Sequence, residues 1–313
     1  MESTFKNYLN SQGRSTSTIV HYVSYINKFE NWLNNNGSSS EKLQMTELIQ
    51  YLHFLQDSGI SNITRAIRLN VIKQYFEYLC INHIRTNNPA IKLKIRGTKQ
   101  KKLYPQLTSH DLERIYKSYK IPALNSPLRK RNWFNKYRLS KMRNKAILNL
   151  MINQGLLTTE LIRLEFNDLK LREGIIYIKD EKKSKSRILH LNSNQIVDLF
   201  DYKKTVRPFL EKLQNKSTNF LFLPLPKVGE SKAFGSGTLQ IWRGLSNEVR
   251  LLNPKFVNFR QVRASVISEW LKRFNLRRVQ YMAGHKYISS TEGYFANQTE
   301  NILNDIDRYH PIL

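Results

Sequence analysis

Residues 281–295 read YMAGHKYISSTEGYF and place a Gly-His pair, Gly284-His285, nine residues ahead of Tyr294. An isolated tyrosine is structural in most proteins, and a lone histidine is more often a packed or capping residue than a reactive one. This tyrosine is distinguished by its spacing from the histidine and by Arg263, which lies upstream and leads into an apolar helical pattern. Together these residues indicate a reactive site in the C-terminal part of the chain.

This stretch, with the FRQVR sequence at residues 259–263 before it, resembles the catalytic domain of the tyrosine recombinases, the phage-integrase and Xer-like family. The family signature is an arginine in a Gly-Leu-Arg-x-x-Glu-Leu helix, a hairpin lysine, His-x-x-Arg, Gly-His and a tyrosine. Residues 1–91 resemble the helical core-binding domain of the family, so the resemblance covers essentially the whole chain. It implies a mainly α fold with a small β-hairpin or sheet, in which a SAM-like helical domain and an α+β catalytic domain form a C-shaped DNA clamp.

The resemblance assigns roles to individual residues. Tyr294 matches the nucleophile, Arg263 the second arginine, which binds phosphate, and His285 the histidine that hydrogen-bonds the scissile phosphate. Lys182 matches the hairpin lysine, a general acid, and Lys183 is the alternative because the hairpin tip carries an insertion. These residue types suit cleavage without a metal ion. A phenolate forms a reversible phosphotyrosyl link, a guanidinium binds two phosphate oxygens, and a lysine protonates the departing 5′ oxygen.

Two positions depart from the family pattern. Residues 154–161, QGLLTTEL, fit the helix of the first arginine, but Leu157 stands where arginine is expected. Arg260 stands where the histidine of His-x-x-Arg is expected. Loss of one such donor costs roughly 3 kcal/mol of transition-state stabilisation by analogy with an oxyanion hole. We expect Arg260 to restore the missing charge as a catalytic residue, with Arg163 and a basic insertion as weaker candidates.

The composition favours a polyanionic partner. Lys and Arg number 51 against 24 Asp and Glu, which gives a formal net charge of +27. Nucleic acid is favoured over an anionic membrane surface, because no apolar run approaches ~18 residues and no lipidation motif is visible. Cys80 is the only cysteine, which excludes a disulfide framework and a cysteine-based zinc site, and we expect it to be buried. The histidines other than His285 show no metal-ligand spacing. The resemblance implies strand exchange without a metal or another cofactor.

The chain divides into three segments. Residues 1–91 predict four or five short helices, which begin at capping residues such as Ser15 and Ser61. Residues 92–104 form a basic linker without acidic residues, and residues 105–313 form the catalytic domain. That domain begins with a helix capped by Thr108 or Ser109 and contains a hairpin from the β-rich runs 174–178 and 187–191. The amphipathic segment 301–306 is expected to dock on a neighbouring protomer, and packing on its own domain is the alternative.

Three basic groups are predicted to contact DNA: Arg65 and Arg68 in the third helix, Lys99, Lys101 and Lys102 in the linker, and Arg129, Lys130 and Arg131 in an insertion. The insertion, residues 121–142, has loop character. The overlapping stretch between residues 127 and 146 carries eight basic residues, no acidic residue and interleaved aromatic residues. This composition suits nucleic-acid contact. For each group the alternative interpretation is an ordinary solvated surface.

The predicted function is that of a site-specific DNA recombinase or integrase, or of the transposase of a mobile element. It would act as a tetramer on two duplexes through a 3′-phosphotyrosyl intermediate and a Holliday junction, in the cytoplasm at the nucleoid. DNA-bending accessory proteins would be further partners, and no membrane partner is expected. Two alternatives are a catalytically degenerate recombinase that only binds DNA and a basic DNA-organising protein. No motif in the amino-acid sequence indicates which DNA sequence the protein recognises.

Overall fold

The computed structural model describes residues 2–98, 105–181, 184–214, 218–226 and 234–295, with the backbone alone for residues 2–3 and 234–239. The chain divides into two compact units, Met1–Lys102 and Leu103–Leu313. The division falls within the basic linker. Each unit has its own hydrophobic core.

The N-terminal unit contains four helices, α1 (Glu2–Ser11), α2 (Thr16–Asn35), α3 (Met45–Asp57) and α4 (Asn62–Ile81). Ser15 and Ser61 cap α2 and α4, since their hydroxyls accept the backbone N–H groups of Thr18 and Thr64. Both predicted helix starts are therefore confirmed. No strand occurs among the described residues of this unit, in agreement with the prediction.

Aromatic side chains fill the core of the N-terminal unit. Phe29 of α2 is fully buried and packs against Tyr51 of α3 and Phe76 of α4, with ring centroids 4.9 and 6.2 Å away. The fourth helix is buried on most of its circumference, so it is the central helix of the unit. Cys80, near its end, is half-buried, which corrects the expectation of a fully buried cysteine.

The C-terminal unit is mainly helical. Its helices are α5 (Ser109–Ser118), α6 (Phe134–Gln154), α7 (Thr158–Arg163), α8 (Ser193–Asp201), α9 (Arg207–Gln214), α10 (Phe234–Leu252), α11 (Phe259–Arg273), α12 (Leu276–Ala283) and α13 (Ile288–Glu292). A π-helical segment, Tyr202–Val206, joins α8 to α9. Short 3₁₀ helices occur at Pro127–Lys130 and Phe166–Asp168. Thr108 caps α5 in a reciprocal capping box with Asp111, which confirms that predicted start.

Helix α6 is the centre of this unit. It contacts α5, α8 and α11, and its C-terminal half is buried on almost every side. The helix ends at Gly155, whose φ of 56° is the left-handed conformation that glycine adopts at low cost. The N-terminal part of α6 overturns one prediction. Residues 134–142 of the expected loop are helical, and residues 127–130 form a 3₁₀ turn.

The sheet has three antiparallel strands in the order β1 (Leu169–Lys170), β2 (Ile175–Ile178) and β3 (Arg187–His190). Strands β2 and β3 are the predicted hairpin, and they pair with Ile176 opposite Leu189. Side chains alternate between the core and solvent, as expected of a half-exposed sheet. The mainly α fold with a small antiparallel sheet is thereby confirmed.

Within the described residues, no helix combines the length and the apolar character needed to cross a bilayer. The predicted amphipathic segment 301–306 lies outside the described residues.

Candidate active site

Arg263 lies at the point where two helices of the C-terminal unit end. Its guanidinium donates hydrogen bonds to the carbonyl oxygens of Gly155 (2.5 Å) and Ala283 (2.7 Å), at the ends of α6 and α12. Carbonyl groups in the last turn of a helix lack intrahelical donors and carry partial negative charge. Burial lowers the pKa of Arg263, and attraction to Glu160 and Tyr294 opposes that effect. Arg263 is thus a buried cation fixed in one orientation.

His285 and Tyr294 lie against each other. Their rings stack with centroids 5.7 Å apart and an angle of 9° between the planes. The imidazole Nδ1 forms a 2.9 Å hydrogen bond with the hydroxyl of Thr291, whose side chain is fully buried. The backbone N–H of Tyr294 donates to the carbonyl oxygen of Thr291. Thr291 therefore positions both residues of the predicted pair.

The imidazole of His285 resists protonation. Its pKa is lowered from 6.5 to about 4, first by burial and then by the positive charges of Arg263 and Arg187, while Glu160 acts in the opposite direction. His285 is therefore neutral at physiological pH and presents one N–H donor and one acceptor nitrogen.

A buried ion pair lies beside this cluster. Arg187 donates to both carboxylate oxygens of Glu160, at 2.8 and 3.1 Å, and both side chains are fully buried. The same carboxylate accepts the hydroxyl of Ser184 and the backbone N–H of Leu157, each at 2.8 Å. Burial by itself raises the pKa of Glu160, but hydrogen bonds and charge from Arg187 and the charge of Arg263 outweigh it and leave the pKa lowered.

The hairpin is attached to the Gly-His pair through the backbone. The N–H of Lys185 donates to the carbonyl oxygen of Gly284 at 2.9 Å, and Ser184 forms an isolated antiparallel bridge with His285. Arg187 adds a 2.9 Å bond from Nε to the carbonyl oxygen of Met282. The base of the hairpin and the end of α12 therefore form one connected assembly.

Lys182 and Lys183, the two candidates for the general acid, lie outside the described residues. The residues on either side of them are described. Glu181 and Ser184 exchange two backbone hydrogen bonds, of 2.8 and 3.2 Å, and Ser184 belongs to the Glu160 cluster. The choice between the two lysines stays a prediction.

The positions that depart from the family pattern lie around this cluster. Leu157 is half-buried and is the N-cap residue of α7. Arg260 is exposed in the first turn of α11, one helical turn before Arg263 and on the same side of the helix. Arg163 forms an ion pair with Glu181 at 3.1 Å, so its charge is already partnered.

The residues predicted to contact DNA differ in exposure. Arg65 is buried and donates to the carbonyl oxygen of Leu52 and to the side chains of Gln56 and Asn62. Its guanidinium stabilises the N-terminal unit, which corrects the expectation that it faces a DNA groove. Arg68 is half-buried over the ring of Tyr25. Arg129, Lys130 and Arg131 are exposed, whereas Lys99, Lys101 and Lys102 lie outside the described residues.

Sequence reasoning assigned no role to Ser184, Arg187 and Thr291, and it used Glu160 only as a motif residue. One signal was present for Arg187. In the RILHL run it falls on the same side of the strand as Leu189, the side that faces the core. A charged residue at a core-facing strand position requires a buried partner of opposite charge. Ser184 and Thr291 gave no comparable signal.

Comparisons with known proteins identify the family of the chain. Residues 107–301 match the phage integrase family, and residues 3–82 match the N-terminal SAM-like domain of phage integrases. The chain therefore belongs to the phage integrase family, the tyrosine recombinases that cleave and rejoin DNA, and the family recognised from the sequence is confirmed.

Two curated relatives and two solved structures are similar to this chain. Tyrosine recombinase XerD of Oceanobacillus iheyensis is 27% identical over 307 residues, which cover 97% of this chain and 92% of the relative. XerD of Staphylococcus epidermidis is 26% identical over 318 residues, 99% of each chain. The fold is similar to XerH site-specific recombinase in a post-cleavage complex with palindromic difH substrate, with a TM-score of 0.67, 18% identity and coverage of 97% and 84%. It is also similar to a lambda integrase dimer bound to a COC′ core site, with a TM-score of 0.62, 15% identity and coverage of 94% and 75%.

Gly284→Ala is expected to destabilise the C-terminal unit by about 2–4 kcal/mol, from left-handed backbone strain and overpacking together. Gly284 has a φ of 69°, and an added Cβ would overlap the Arg187 guanidinium and lie 2.8 Å from the Ser184 hydroxyl. Gly174→Ala is the matched control, because its φ of 65° is similar but its nearest atom would be 3.7 Å away. Urea unfolding of both variants measures the difference. Equal costs would show that the Arg187 contact does not constrain Gly284.

His285 is expected to make stability depend on pH below neutrality. The unfolded chain takes up a proton near pH 6.5, whereas folded His285 does so only near 4, so the stability from the neutral ring is complete above about 6.5 and declines as the pH falls towards 4. Unfolding free energies measured over this range should fall less steeply in His285→Gln than in the wild type. His190→Gln, at an exposed strand position, is the control and should match the wild type. Parallel slopes for wild type and His285→Gln would contradict the lowered pKa.

Proposed function

We propose that this chain is an active site-specific DNA recombinase that cleaves and rejoins DNA through a covalent bond to Tyr294. The observation that carries the proposal is the convergence of Tyr294, His285 and the buried Arg263 in one cluster of a phage integrase family chain. Arg263 belongs to α11, His285 follows the end of α12, and Tyr294 follows α13.

In the cleavage step, the phenolic oxygen of Tyr294 gives up its proton to solvent water and attacks the phosphorus. An oxygen–phosphorus bond forms while the bond to the 5′ oxygen breaks, and Lys182 donates a proton to that oxygen. Arg263 binds nonbridging phosphate oxygens, where negative charge grows in the transition state. If the Thr291 hydroxyl donates to Nδ1 of His285, then Nε2 carries the proton of the neutral ring and donates to the phosphate. The reverse reaction with the 5′ hydroxyl of another strand rejoins the DNA.

Duplex DNA is the proposed partner. We propose that the enzyme acts on this DNA in the cytoplasm. The net charge of +27 supports this partner, because each phosphate neutralised by a lysine or arginine releases bound counterions. One similar fold is a lambda integrase tetramer bound to a Holliday junction, with a TM-score of 0.61 and 15% identity. By analogy, four copies of this chain act on two duplexes through a Holliday junction. Integration, transposition of a mobile element and resolution are the candidate biological roles, and DNA-bending accessory proteins are candidate partners.

Arg260 is proposed to supply the charge that is missing at Leu157. It lies one turn before Arg263 on α11, and its exposed guanidinium is free to reach a phosphate bound over the cluster. Arg187 is a less suitable substitute, since Glu160, Ser184 and Met282 already engage its guanidinium.

A second candidate function follows from the same position. With Leu157 in place of the first arginine, the chain could instead be a recombinase-like protein that binds DNA without cutting it. The stacked His285–Tyr294 pair and the oriented Arg263 favour the active enzyme, because a binding protein has no use for them. The first experiment below separates the two functions.

Incubation of the full chain with DNA fragments from its source, followed by capture of protein-linked DNA ends, is expected to yield recurrent ends at one site. The protein should be attached to the 3′ phosphate and the partner end should carry a free 5′ hydroxyl. Tyr294→Phe should yield no covalent complex, whereas Tyr287→Phe, at an exposed tyrosine of the same segment, should behave as the wild type. Covalent complexes that persist in Tyr294→Phe would refute the nucleophile. Their absence from wild type and both variants, with DNA still bound, would favour the binding protein.

Arg260→Ala is expected to reduce the rate of covalent complex formation at saturating DNA by about 10²-fold, the usual loss for one transition-state donor. Leu157→Arg in the Arg260→Ala background should restore much of that rate, because it returns a guanidinium to the family position. Arg273→Ala, an exposed arginine at the other end of α11, controls for the loss of a charge. A wild-type rate in Arg260→Ala would show that the cation comes from elsewhere.

A further inference from the structure

The insertion presents a rigid, unneutralised basic surface, here called the basic cap. Its exposed members are Arg129, Lys130, Arg131, Trp133, Lys136 and Tyr137. None of its four cations forms an ion pair in the part of the chain that the structure describes. Because no acidic side chain neutralises these cations, the surface is suited to a polyanion.

The basic cap is held in place by contacts with the body of the unit. Phe134 is only 1% exposed, and Arg138 donates from Nε to the carbonyl oxygen of Pro122 at 3.1 Å. Trp133 packs edge-on against Tyr137, with ring centroids 5.5 Å apart. A surface fixed in this way loses little conformational entropy when a ligand binds.

Glu248, an acidic residue that contacts α6, is already paired with a lysine of that helix. Lys141 lies over the rings of Tyr119 and Tyr137, at 4.7 and 5.5 Å, and forms a 2.9 Å ion pair with Glu248. Glu248 also accepts the hydroxyl of Tyr119. The carboxylate is thus occupied by Lys141 and Tyr119, and the same contacts anchor Tyr137 and the first turns of α6.

The basic cap lies far from the reacting groups. It precedes and opens α6, a helix of 21 residues, and Gly155 at the other end accepts a hydrogen bond from Arg263. At 1.5 Å per residue the two ends of α6 are about 30 Å apart. A duplex rises about 3.4 Å per base pair, so this separation corresponds to at most about nine base pairs along a duplex. The cations of the cap therefore cannot stabilise the reacting phosphate.

We infer that the basic cap binds the phosphate backbone of duplex DNA at a distance of up to about nine base pairs from the cleaved phosphodiester. The inference rests on the proposed function in one respect, since it takes duplex DNA as the partner. Contacts of this kind depend on charge and not on base sequence, and they increase the salt dependence of binding. The cap would thus hold DNA beside the cleaved bond without contacting the reacting phosphate.

The test is equilibrium binding of the full chain to a 40-base-pair duplex of random sequence, measured by fluorescence anisotropy across a range of salt concentrations. The variant replaces Arg129, Lys130 and Arg131 with alanine. The slope of log K against log salt should become shallower by about 2–3, since each lost phosphate contact removes about 0.9. The affinity near 100 mM salt should fall at least tenfold.

A matched control replaces Arg172, Lys204 and Lys212, which are exposed and scattered over the same unit, with alanine. It removes the same charge and should change the slope by less than one. Equal changes in both variants would overturn the inference, because net charge alone would then explain them. A slope change below one in the cap variant would also overturn it, as would loss of binding to vesicles with 30% phosphatidylserine while DNA binding stays at the wild-type level.

This experiment is independent of catalysis. If the chain proves to be a binding protein without cleavage activity, the slopes still report whether the cap contacts DNA. If the chain is active, the cap variant should need at least tenfold more DNA to reach half of its maximal rate of covalent complex formation, and an unchanged DNA requirement would overturn the inference.

Discussion

The ion pair between Glu160 and Arg187 joins the elements on which the candidate active site depends. Glu160 belongs to α7, Arg187 begins β3, and Ser184, which shares the carboxylate, precedes that strand. Removing one partner of a buried pair usually costs 3–5 kcal/mol, because it leaves an uncompensated charge in the interior. Here the pair also determines geometry, since Arg187 reaches the end of α12 through Met282 and limits residue 284 to glycine.

The same pair contributes to the electrostatics of His285. Burial is the largest cause of the lowered pKa, Arg263 and Arg187 lower it further, and Glu160 opposes them, so protonation is disfavoured. A neutral imidazole can donate one hydrogen bond to a phosphate without adding a third fixed cation to the cluster. Burial gives these charges their influence, because water would screen them at the surface.

Local patterns allowed much of the fold to be predicted from the sequence. The helix starts at Ser15, Ser61 and Thr108 depend on a capping side chain and its nearest neighbours, and all three were found. The hairpin was found because β-rich runs flank a polar turn. Strand β1 was missed because two residues carry no periodicity, and residues 134–142 were taken for a loop because their basic composition obscured the helix.

The site was predictable where it depends on spacing and unpredictable where it depends on long-range contacts. The distance from His285 to Tyr294 along the chain identified both residues, whereas the partners of Arg187 come from segments 27 and 95 residues away. Arg65 shows the converse error. Its position on α4 suggested a DNA-facing group, but α4 is enclosed on most sides, so its guanidinium is turned inward to carbonyl and amide oxygens.

Leu157 distinguishes this cluster from the family pattern, in which an arginine stands at this position. The apolar side chain of Leu157 adds no positive charge beside Glu160. Glu160 binds Arg187 in two hydrogen bonds, with Arg263 at 4.0 Å, and Arg263 directs its own bonds to the carbonyls of Gly155 and Ala283. Among the described residues, Arg263 is a buried cation whose charge acts on Tyr294. An exposed source of further positive charge is Arg260, one turn from Arg263 on α11. Because Arg260 is exposed, its contribution depends on how closely bound DNA approaches it.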